Sequence, residues 1–170
     1  MKLAGQKWTL WVRDIVIGGI IIAAVLAWQG RDMLDQDGSV TIPHQVLPTL
    51  QGQPSPLLAS DTPTLVYFFA PWCQICHLSI GNLEYVNNDN IKIVRVALDY
   101  ANIEDVQDFA TQHEISSPIL LGNNQLKQQF NVNVYPTYYL LNAESEIIGG
   151  SRGYSTAAGL KLREFLINYE

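Results

Sequence analysis

The sequence is poor in charge. Charged residues make up 15% of the 170 residues, whereas about 25% is typical of soluble domains. Ten lysines and arginines stand against sixteen aspartates and glutamates, and the net charge is −6. The basic residues form no cluster, so the chain has no electrostatic basis for binding nucleic acid. We therefore expect no nucleic-acid partner.

Cysteine is equally scarce. The chain has two cysteines, Cys73 and Cys76, which lie three positions apart. A small domain held together by disulfides would carry more cysteines, spread along the chain. The scarcity argues against a disulfide scaffold and indicates a chemical role for the close pair. The length suits one domain plus an appendage.

What the sequence has in excess is an apolar run near the N-terminus. Residues 15–28 contain no polar side chain, and extending the run back to Leu10 includes Arg13 and Asp14. A membrane-spanning helix needs about 20 apolar residues, and an arginine near its end can extend to the lipid headgroups. We predict a cytoplasmic N-terminus over residues 1–9 and a transmembrane anchor over residues 10–29.

The charges that flank this run predict its orientation. Three basic residues precede the run, and one arginine with three aspartates follows it (Lys2, Lys7, Arg13; Arg31, Asp32, Asp35, Asp37). The more basic flank stays in the cytoplasm. This predicts a single-pass inner-membrane protein whose remaining chain faces the periplasm. A signal peptide cleaved near Ala27 and a buried core helix are the alternative interpretations.

The rest of the chain alternates strand patterns with helix patterns. A polar linker is predicted over residues 30–44, and Pro48, Pro54 and Pro56 indicate a short strand or hairpin. Strands are predicted over residues 64–70, 91–98, 118–121, 137–141 and 147–150, and helices over 75–87, 103–113, 124–130 and from 158 to the C-terminus. The helix over 103–113 would carry an apolar face of Ile103, Val106, Phe109 and Ala110. This alternation predicts an α/β sheet.

The cysteine pair lies where a buried strand meets a helix. Residues 64–70 are β-branched and aromatic, and Cys73-Gln74-Ile75-Cys76 follows at once. A helix N-terminus carries unpaired N–H groups and a partial positive charge, which lowers the pKa of a thiol there below about 8.5. Because the thiolate is the attacking species in disulfide exchange, Cys73 is predicted to attack and Cys76 to resolve the mixed disulfide.

Four other interpretations of the pair remain. A structural disulfide over so short a loop would stabilise little. A zinc site would need a second ligand pair, which His44, His77 and His113 do not form. The pattern C-x-x-C-H also matches the attachment motif of c-type haem, with His77 as ligand, and the thiols could simply be inert. Of these interpretations, a redox dithiol also explains why a buried strand precedes the motif. We therefore expect no metal and no cofactor. We expect His77 to be an exposed residue beside the thiolates.

Two segments resemble the landmarks of the thioredoxin family. FFAPWCQIC resembles the active-site strand and motif, and Val134-Tyr135-Pro136-Thr137 resembles the cis-proline loop. The resemblance implies a thiol:disulfide oxidoreductase with a three-layer α/β/α sandwich and a central mixed sheet over residues 45–170. It implies the following sites: catalytic Cys73 and Cys76; a substrate groove with Trp72, Pro136 and Thr137; motif-flanking Gln74, Ile75 and His77.

The anchor and the insert before Pro136 resemble the membrane-anchored TlpA-like branch, and most of all the suppressor-of-copper-sensitivity D type. That resemblance implies a reductase that receives electrons from a membrane donor of the DsbD class. Its oxidised clients would be an apocytochrome c, a copper-handling protein or another oxidoreductase. A disulfide-forming oxidant on the same fold and a haem-carrying electron-transfer module are the alternatives.

The sequence also departs from the family. Tyr67 stands where thioredoxin has a buried aspartate that accepts the proton of the second cysteine, and Ser79 stands where cytochrome-maturation members often carry glutamate. Asp99 and Glu84 are the remaining candidates for the proton acceptor. The dipeptide Gln74-Ile75 matches neither the Gly-Pro of thioredoxin nor the Pro-His of strong oxidants.

Overall fold

The computed structural model describes residues 11–21, 33–86 and 90–161. Predictions for residues 1–10, 22–32, 87–89 and 162–170 lie outside the described residues, and these include much of the predicted anchor and most of the C-terminal helix. The chain divides into two units, residues 1–32 and 33–170.

In the first unit, residues 11–21 are helical (α1), and most of their side chains are exposed. None of the helices in the described part of the chain combines the length and the apolar character that crossing a membrane requires.

The second unit is built on strands and short helices that follow the predicted order. Its strands are β1 Val46–Pro48, β2 Pro54–Pro56, β3 Thr64–Phe69, β4 Lys92–Ala97, β5 Ile119–Leu121, β6 Thr137–Leu141 and β7 Ile147–Arg152. Its helices are α2 Gln74–Ser79, which is followed by a 3-10 helix at Ile80–Tyr85, α3 Ile103–Gln112, α4 Asn124–Gln129, and α5 from residue 157 through 161. β1 and β2 form the predicted hairpin.

Five strands make a mixed sheet in the order β5-β4-β3-β6-β7. β3, β4 and β5 are parallel, whereas β6 runs antiparallel to both β3 and β7. All six residues of β3 are buried, as the apolar run predicts for a central strand. Successive side chains of a strand point to opposite faces, so β3 supplies side chains to two cores.

Each face of the sheet is covered by a separate layer. Tyr67 and Phe69 pack with α2, the 3-10 helix and α3. Val66 and Phe68 pack with α4 and with residues of the N-terminal hairpin region. The α/β fold with a central mixed sheet, predicted from the sequence, is confirmed.

The helix predicted over residues 75–87 is interrupted. α2 ends at Ser79, and a 3-10 helix continues to Tyr85. The Ser79 hydroxyl donates to the Ile75 carbonyl at 2.8 Å, and such a side-chain bond competes with the backbone bonds of a regular helix. The break keeps the helix that carries the cysteines short.

Residues 33–44, which the sequence assigns to a linker, pack on the sheet. The Gly38 amide donates to the Ile147 carbonyl, and the Ile42 amide donates to the Ser145 carbonyl. Ile42 is buried. This segment therefore runs along the start of β7, and its polar composition concealed the pairing.

The predicted apolar face of α3 includes one residue that the structure exposes. Val106, Phe109 and Ala110 are buried, as predicted, but Ile103 is 51% exposed. Ile103 is the first residue of the helix, where the side chain lies beyond the edge of the sheet's core.

Candidate active site

The two cysteines lie at the start of α2. Cys73 is the N-cap residue, with extended backbone angles, and its Sγ accepts a hydrogen bond from the Cys76 N–H at 3.2 Å. Both cysteines are free thiols. Cys73 is 6% exposed and Cys76 is 0% exposed, so Cys73 is the thiol that a second protein can reach first.

Burial dominates the protonation of the second cysteine. Burial raises the pKa of the Cys76 thiol, and its hydrogen bond with Cys73 raises that pKa further. The Ala70 backbone and the Tyr67 hydroxyl act in the opposite direction but do not offset burial. Cys76 therefore holds its proton at neutral pH, as a reserve thiol behind Cys73.

Trp72 covers one side of the motif. Its indole is 63% exposed, and its Nε1 donates to the Asp99 carbonyl at 2.8 Å. Its ring stands edge-on to the Tyr135 ring, with 5.8 Å between the centroids. The motif loop and the loop before β6 thus meet through these two aromatic rings.

Pro136 and Thr137 lie directly after Tyr135, and both are buried. The Tyr135–Pro136 peptide bond is cis. The Thr137 hydroxyl donates to the Val134 carbonyl at 2.7 Å, and the Gly153 amide donates to the Pro136 carbonyl at 2.8 Å. These bonds fix the loop that the sequence assigns to the substrate groove.

Gln74 and Ile75, the two residues between the cysteines, are exposed in the first turn of α2. Their side chains face away from the core that holds Cys76, so they are placed to meet a client protein.

Asp99 joins three segments around the motif. Its backbone carbonyl accepts from the Trp72 indole. Its carboxylate accepts a hydrogen bond from the Tyr135 hydroxyl at 3.0 Å and forms an ion pair with Lys127 of α4. Burial, followed by the bond to Asp99, raises the pKa of Tyr135, so its phenol stays protonated and continues to donate.

The two candidate proton acceptors are both engaged with cations. Asp99 pairs with Lys127, and Glu84 pairs with Arg95. Neither carboxylate is hydrogen-bonded to Cys76, so the structure assigns them to other parts of the site.

His77 was predicted to be exposed, and that prediction is wrong. The side chain is half-buried, because its ring packs against Phe109 with 4.7 Å between centroids. Its Nε2 lies 2.9 Å from the Pro71 carbonyl, and its Nδ1 lies 2.7 Å from Nε2 of His113. A carbonyl only accepts, so His77 Nε2 carries a proton, and in the neutral pair His113 donates to His77.

The pairing of His77 bears on the haem alternative. A histidine that ligates iron needs a free ring nitrogen, and both nitrogens of His77 are hydrogen-bonded. Metal ligation would have to break one of these bonds. Within residues 11–21, 33–86 and 90–161, no group of three or more His, Cys, Asp and Glu side chains is placed to hold a metal ion.

A cavity of about 620 Å³ lies next to the motif. Trp72 and His77 line it together with three aspartates, Asp99, Asp105 and Asp108, of which Asp99 is paired with Lys127. The electrostatic surroundings of the motif are therefore acidic on this side.

Sequence reasoning left two residues at this site without a role. Tyr67, on β3, lies beneath Cys76, with its hydroxyl 3.5 Å from the Cys76 carbonyl. His113 completes the pair with His77. The sequence did mark Tyr67 as a departure from the family, but nothing in it places His113 against a residue 36 positions away.

Proteins of similar sequence and proteins of similar structure both indicate the family of this chain. No protein-family model matches the chain. The chain is 25% identical over 150 residues to sporulation thiol-disulfide oxidoreductase A of Bacillus subtilis, across 84% of this chain and 91% of that protein. It is 30% identical over 100 residues to thioredoxin-like protein SkfH of the same organism, across 55% of this chain and 71% of that protein.

Solved structures agree with these relatives. StoA from Bacillus subtilis matches with a TM-score of 0.64 at 25% identity, over 72% of this chain and 98% of that chain. The matched relatives and the geometry around Cys73 and Cys76 lead to one conclusion. The chain belongs to the thioredoxin-like family of thiol–disulfide oxidoreductases.

Proposed function

We propose that the chain is a membrane-tethered reductase of protein disulfides that works on the periplasmic side of the inner membrane. One observation carries the proposal: Cys73 caps α2 and accepts the Cys76 N–H, while Cys76 is buried directly behind it. This arrangement suits attack by Cys73 and resolution by Cys76, with the exposed Trp72 at the groove for the client and the buried Pro136 and Thr137 shaping the loop beside it.

The reaction transfers two electrons to the client. The Cys73 thiolate attacks a client disulfide, forms a bond to one client sulfur and releases the other as a thiolate. Cys76 then loses its proton and attacks the Cys73 sulfur, which releases the second client thiolate. The client gains two electrons and two protons, and Cys73 and Cys76 end as a disulfide.

One feature of the site favours the reducing direction. A strong oxidant owes its potential to a stabilised thiolate in its reduced form. Here carboxylates line the cavity beside the motif. They disfavour negative charge on sulfur, so the dithiol should give up its electrons readily.

The direction is tested by the reduction potential. The full chain in detergent would be equilibrated with glutathione buffers and its thiols trapped by alkylation. We expect a potential near the roughly −270 mV of thioredoxin-like reductants, and a value near the roughly −120 mV of strong oxidants would establish the opposite direction.

The tether is supported by the apolar run over residues 10–29 and by the basic residues before it. A reporter enzyme that is active only outside the cytoplasm, fused after Glu170, should be active in cells. An inactive fusion that is stable in the cytoplasm would refute this orientation.

The partners follow from the direction and the location. We propose that a membrane electron donor of the DsbD class reduces the Cys73–Cys76 disulfide. The clients would be an apocytochrome c, a copper-handling protein or another oxidoreductase. Cys76→Ser should leave the client attached to Cys73 as a mixed disulfide, which can be isolated and identified. Recovery of the same adducts from a Cys73→Ser chain would contradict the assignment.

A further inference from the structure

Cys76 must ionise in a place that resists ionisation. It is fully buried among apolar side chains of the core beneath α2, and burial disfavours a charged sulfur. The carboxylates that could have taken its proton, Asp99 and Glu84, are paired with Lys127 and Arg95. The second half of the exchange reaction therefore needs another group that stabilises the thiolate.

The Tyr67 hydroxyl is in position to do so. It is fully buried below Cys76, with its oxygen 3.5 Å from the Cys76 carbonyl and 3.2 Å from Ser79 Oγ. These two distances place the hydroxyl beside the Cys76 residue, where a bond to its side chain favours the charged sulfur and lowers the pKa of Cys76. Burial keeps the pKa of Tyr67 above its ordinary value, so the phenol retains its own proton.

A count of hydrogens shows which way these bonds run. Ser79 has one hydroxyl hydrogen, which it donates to the Ile75 carbonyl at 2.8 Å. Ser79 Oγ therefore accepts from Tyr67. The Tyr67 hydrogen is held only by neutral acceptors at distances longer than the roughly 2.7–2.8 Å of an optimal O–H···O bond.

We infer that Tyr67 is the hydrogen-bond donor that stabilises the Cys76 thiolate during resolution of the mixed disulfide, with Ser79 Oγ holding the same hydrogen while Cys76 is protonated. A charged acceptor binds a donor about twice as strongly as a neutral one. When Cys76 loses its proton, the Tyr67 hydrogen turns from Ser79 to the sulfur. Tyr67 loses no proton: that of Cys76 passes to solvent, and the departing client thiolate takes one up.

Other ionisable groups face the same spot. Cys73 lies at the N-cap, and Tyr135 and Tyr138 also interact with a charge on Cys76. Arg95 on β4 faces Tyr67. Burial raises the pKa of both tyrosines, so they stay neutral over the pH range of the reaction.

The inference rests on the proposed order of attack, Cys73 before Cys76, and a two-phase assay separates the two ideas. The reduced full chain in detergent is mixed with dithiobis(nitrobenzoate) in a stopped-flow instrument. Attack by the first cysteine releases one nitrothiolate in a phase that depends on reagent concentration. Attack by the second releases another in a phase that does not.

Tyr67→Phe removes only the hydroxyl. The second phase should slow roughly tenfold near neutral pH, and its pH midpoint should rise by about one unit, because the lost bond is to a charged group. The first phase should be unchanged. A second phase as fast as in the unmodified chain, or an equal slowing of both phases, would overturn the inference.

Two further variants exclude a structural explanation. Tyr139→Phe removes a buried hydroxyl on the opposite face, which accepts from the Leu34 amide, and should leave both phases unchanged. Ser79→Ala removes the competing acceptor, so the second phase should be as fast as before or faster. Slowing by Ser79→Ala equal to that of Tyr67→Phe would show that the hydroxyl pair only supports packing. Loss of the first phase in Cys76→Ser, with retention in Cys73→Ser, would instead refute the order of attack.

Discussion

The two faces of the central sheet are both buried, but their side chains differ in kind. The face toward α2 and α3 carries Tyr67 and Tyr138 in the same core as Cys76, and the buried Arg95 lies next to Tyr67 on the neighbouring strand. The face toward α4 is built around Val66, Phe68 and other hydrocarbon or aromatic side chains. β3 contributes to both faces, because its side chains alternate.

Along β3, the side chains that affect the cysteines lie on one face of the sheet, and those that mainly stabilise the fold lie on the other. Polar groups on the α2 face hold the thiols and influence their protonation, at the cost of burying hydrogen-bonding groups. The α4 face buries apolar surface, which is the larger source of stabilisation. Substitutions of the polar groups next to Cys76 should change reactivity, and those of the apolar groups on the second face should change only the free energy of unfolding.

The largest effect on this comparison comes from Cys73→Ser. Serine is close in size, and its oxygen can replace the Cys73 sulfur as the N-cap acceptor, so the free energy of unfolding should change little while disulfide exchange is lost entirely. Reduction of a model protein disulfide, followed by its precipitation, measures the loss. Exchange that persists in this variant would show that Cys76 can attack by itself.

Phe130→Ala tests the apolar face. Phe130 is fully buried, and its ring lies 4.8 Å from the Phe68 ring and 5.5 Å from the Tyr139 ring, centroid to centroid. Its loss should cost about 3–5 kcal/mol of unfolding free energy in a urea titration. The reduction potential of the remaining folded protein should stay the same, and a shifted potential would break the separation of the two faces.

Glu84→Gln tests the charge buried on the chemical face. The Arg95 side chain is 5% exposed and its partner Glu84 is 69% exposed, so the pair lies between buried and surface ion pairs. Without the carboxylate, Arg95 keeps Ser117 as a partner, and stability should fall by about 2 kcal/mol. Glu144→Gln, at an exposed position, is the matched control and should change stability by less than about 0.5 kcal/mol.

The smallest effect concerns the histidine pair. Burial, and then the neighbouring His77, lowers the pKa of His113 below 6.5. The unfolded chain therefore binds a proton at His113 before the folded chain does, so this part of the stability is complete above about pH 6.5 and falls as the pH drops below it. Urea midpoints at pH 7.5 and 5.5 should differ more in the unmodified chain than in His113→Gln. If the urea midpoint changed equally with pH in both chains, the lowered pKa of His113 would be contradicted.

The features that sequence reasoning predicted are those determined by neighbouring residues. The run at residues 64–70 predicted β3, the spacing Val106, Phe109, Ala110 predicted α3, and the cysteine pair predicted the site. Contacts between distant segments could not be read in this way. The bond from His77 to His113 and the pairing of Gly38 with Ile147 join segments that are far apart in the sequence and depend on the packed structure.

The N-terminal segment of the second unit has a practical consequence for truncation. Its amides at Gly38 and Ile42 pair along β7, and the Leu50 amide donates to the Ile119 carbonyl of β5 at 2.8 Å. Residues 38–50 thus occupy hydrogen-bonding groups at both outer strands of the sheet. A shortened chain that starts at residue 45, where the family resemblance begins, would leave the β7 edge of the sheet unpaired. That edge could then pair with a strand from another copy. A chain that starts at Met33 keeps both edge strands paired. It should stay monomeric at concentrations where the shorter chain self-associates.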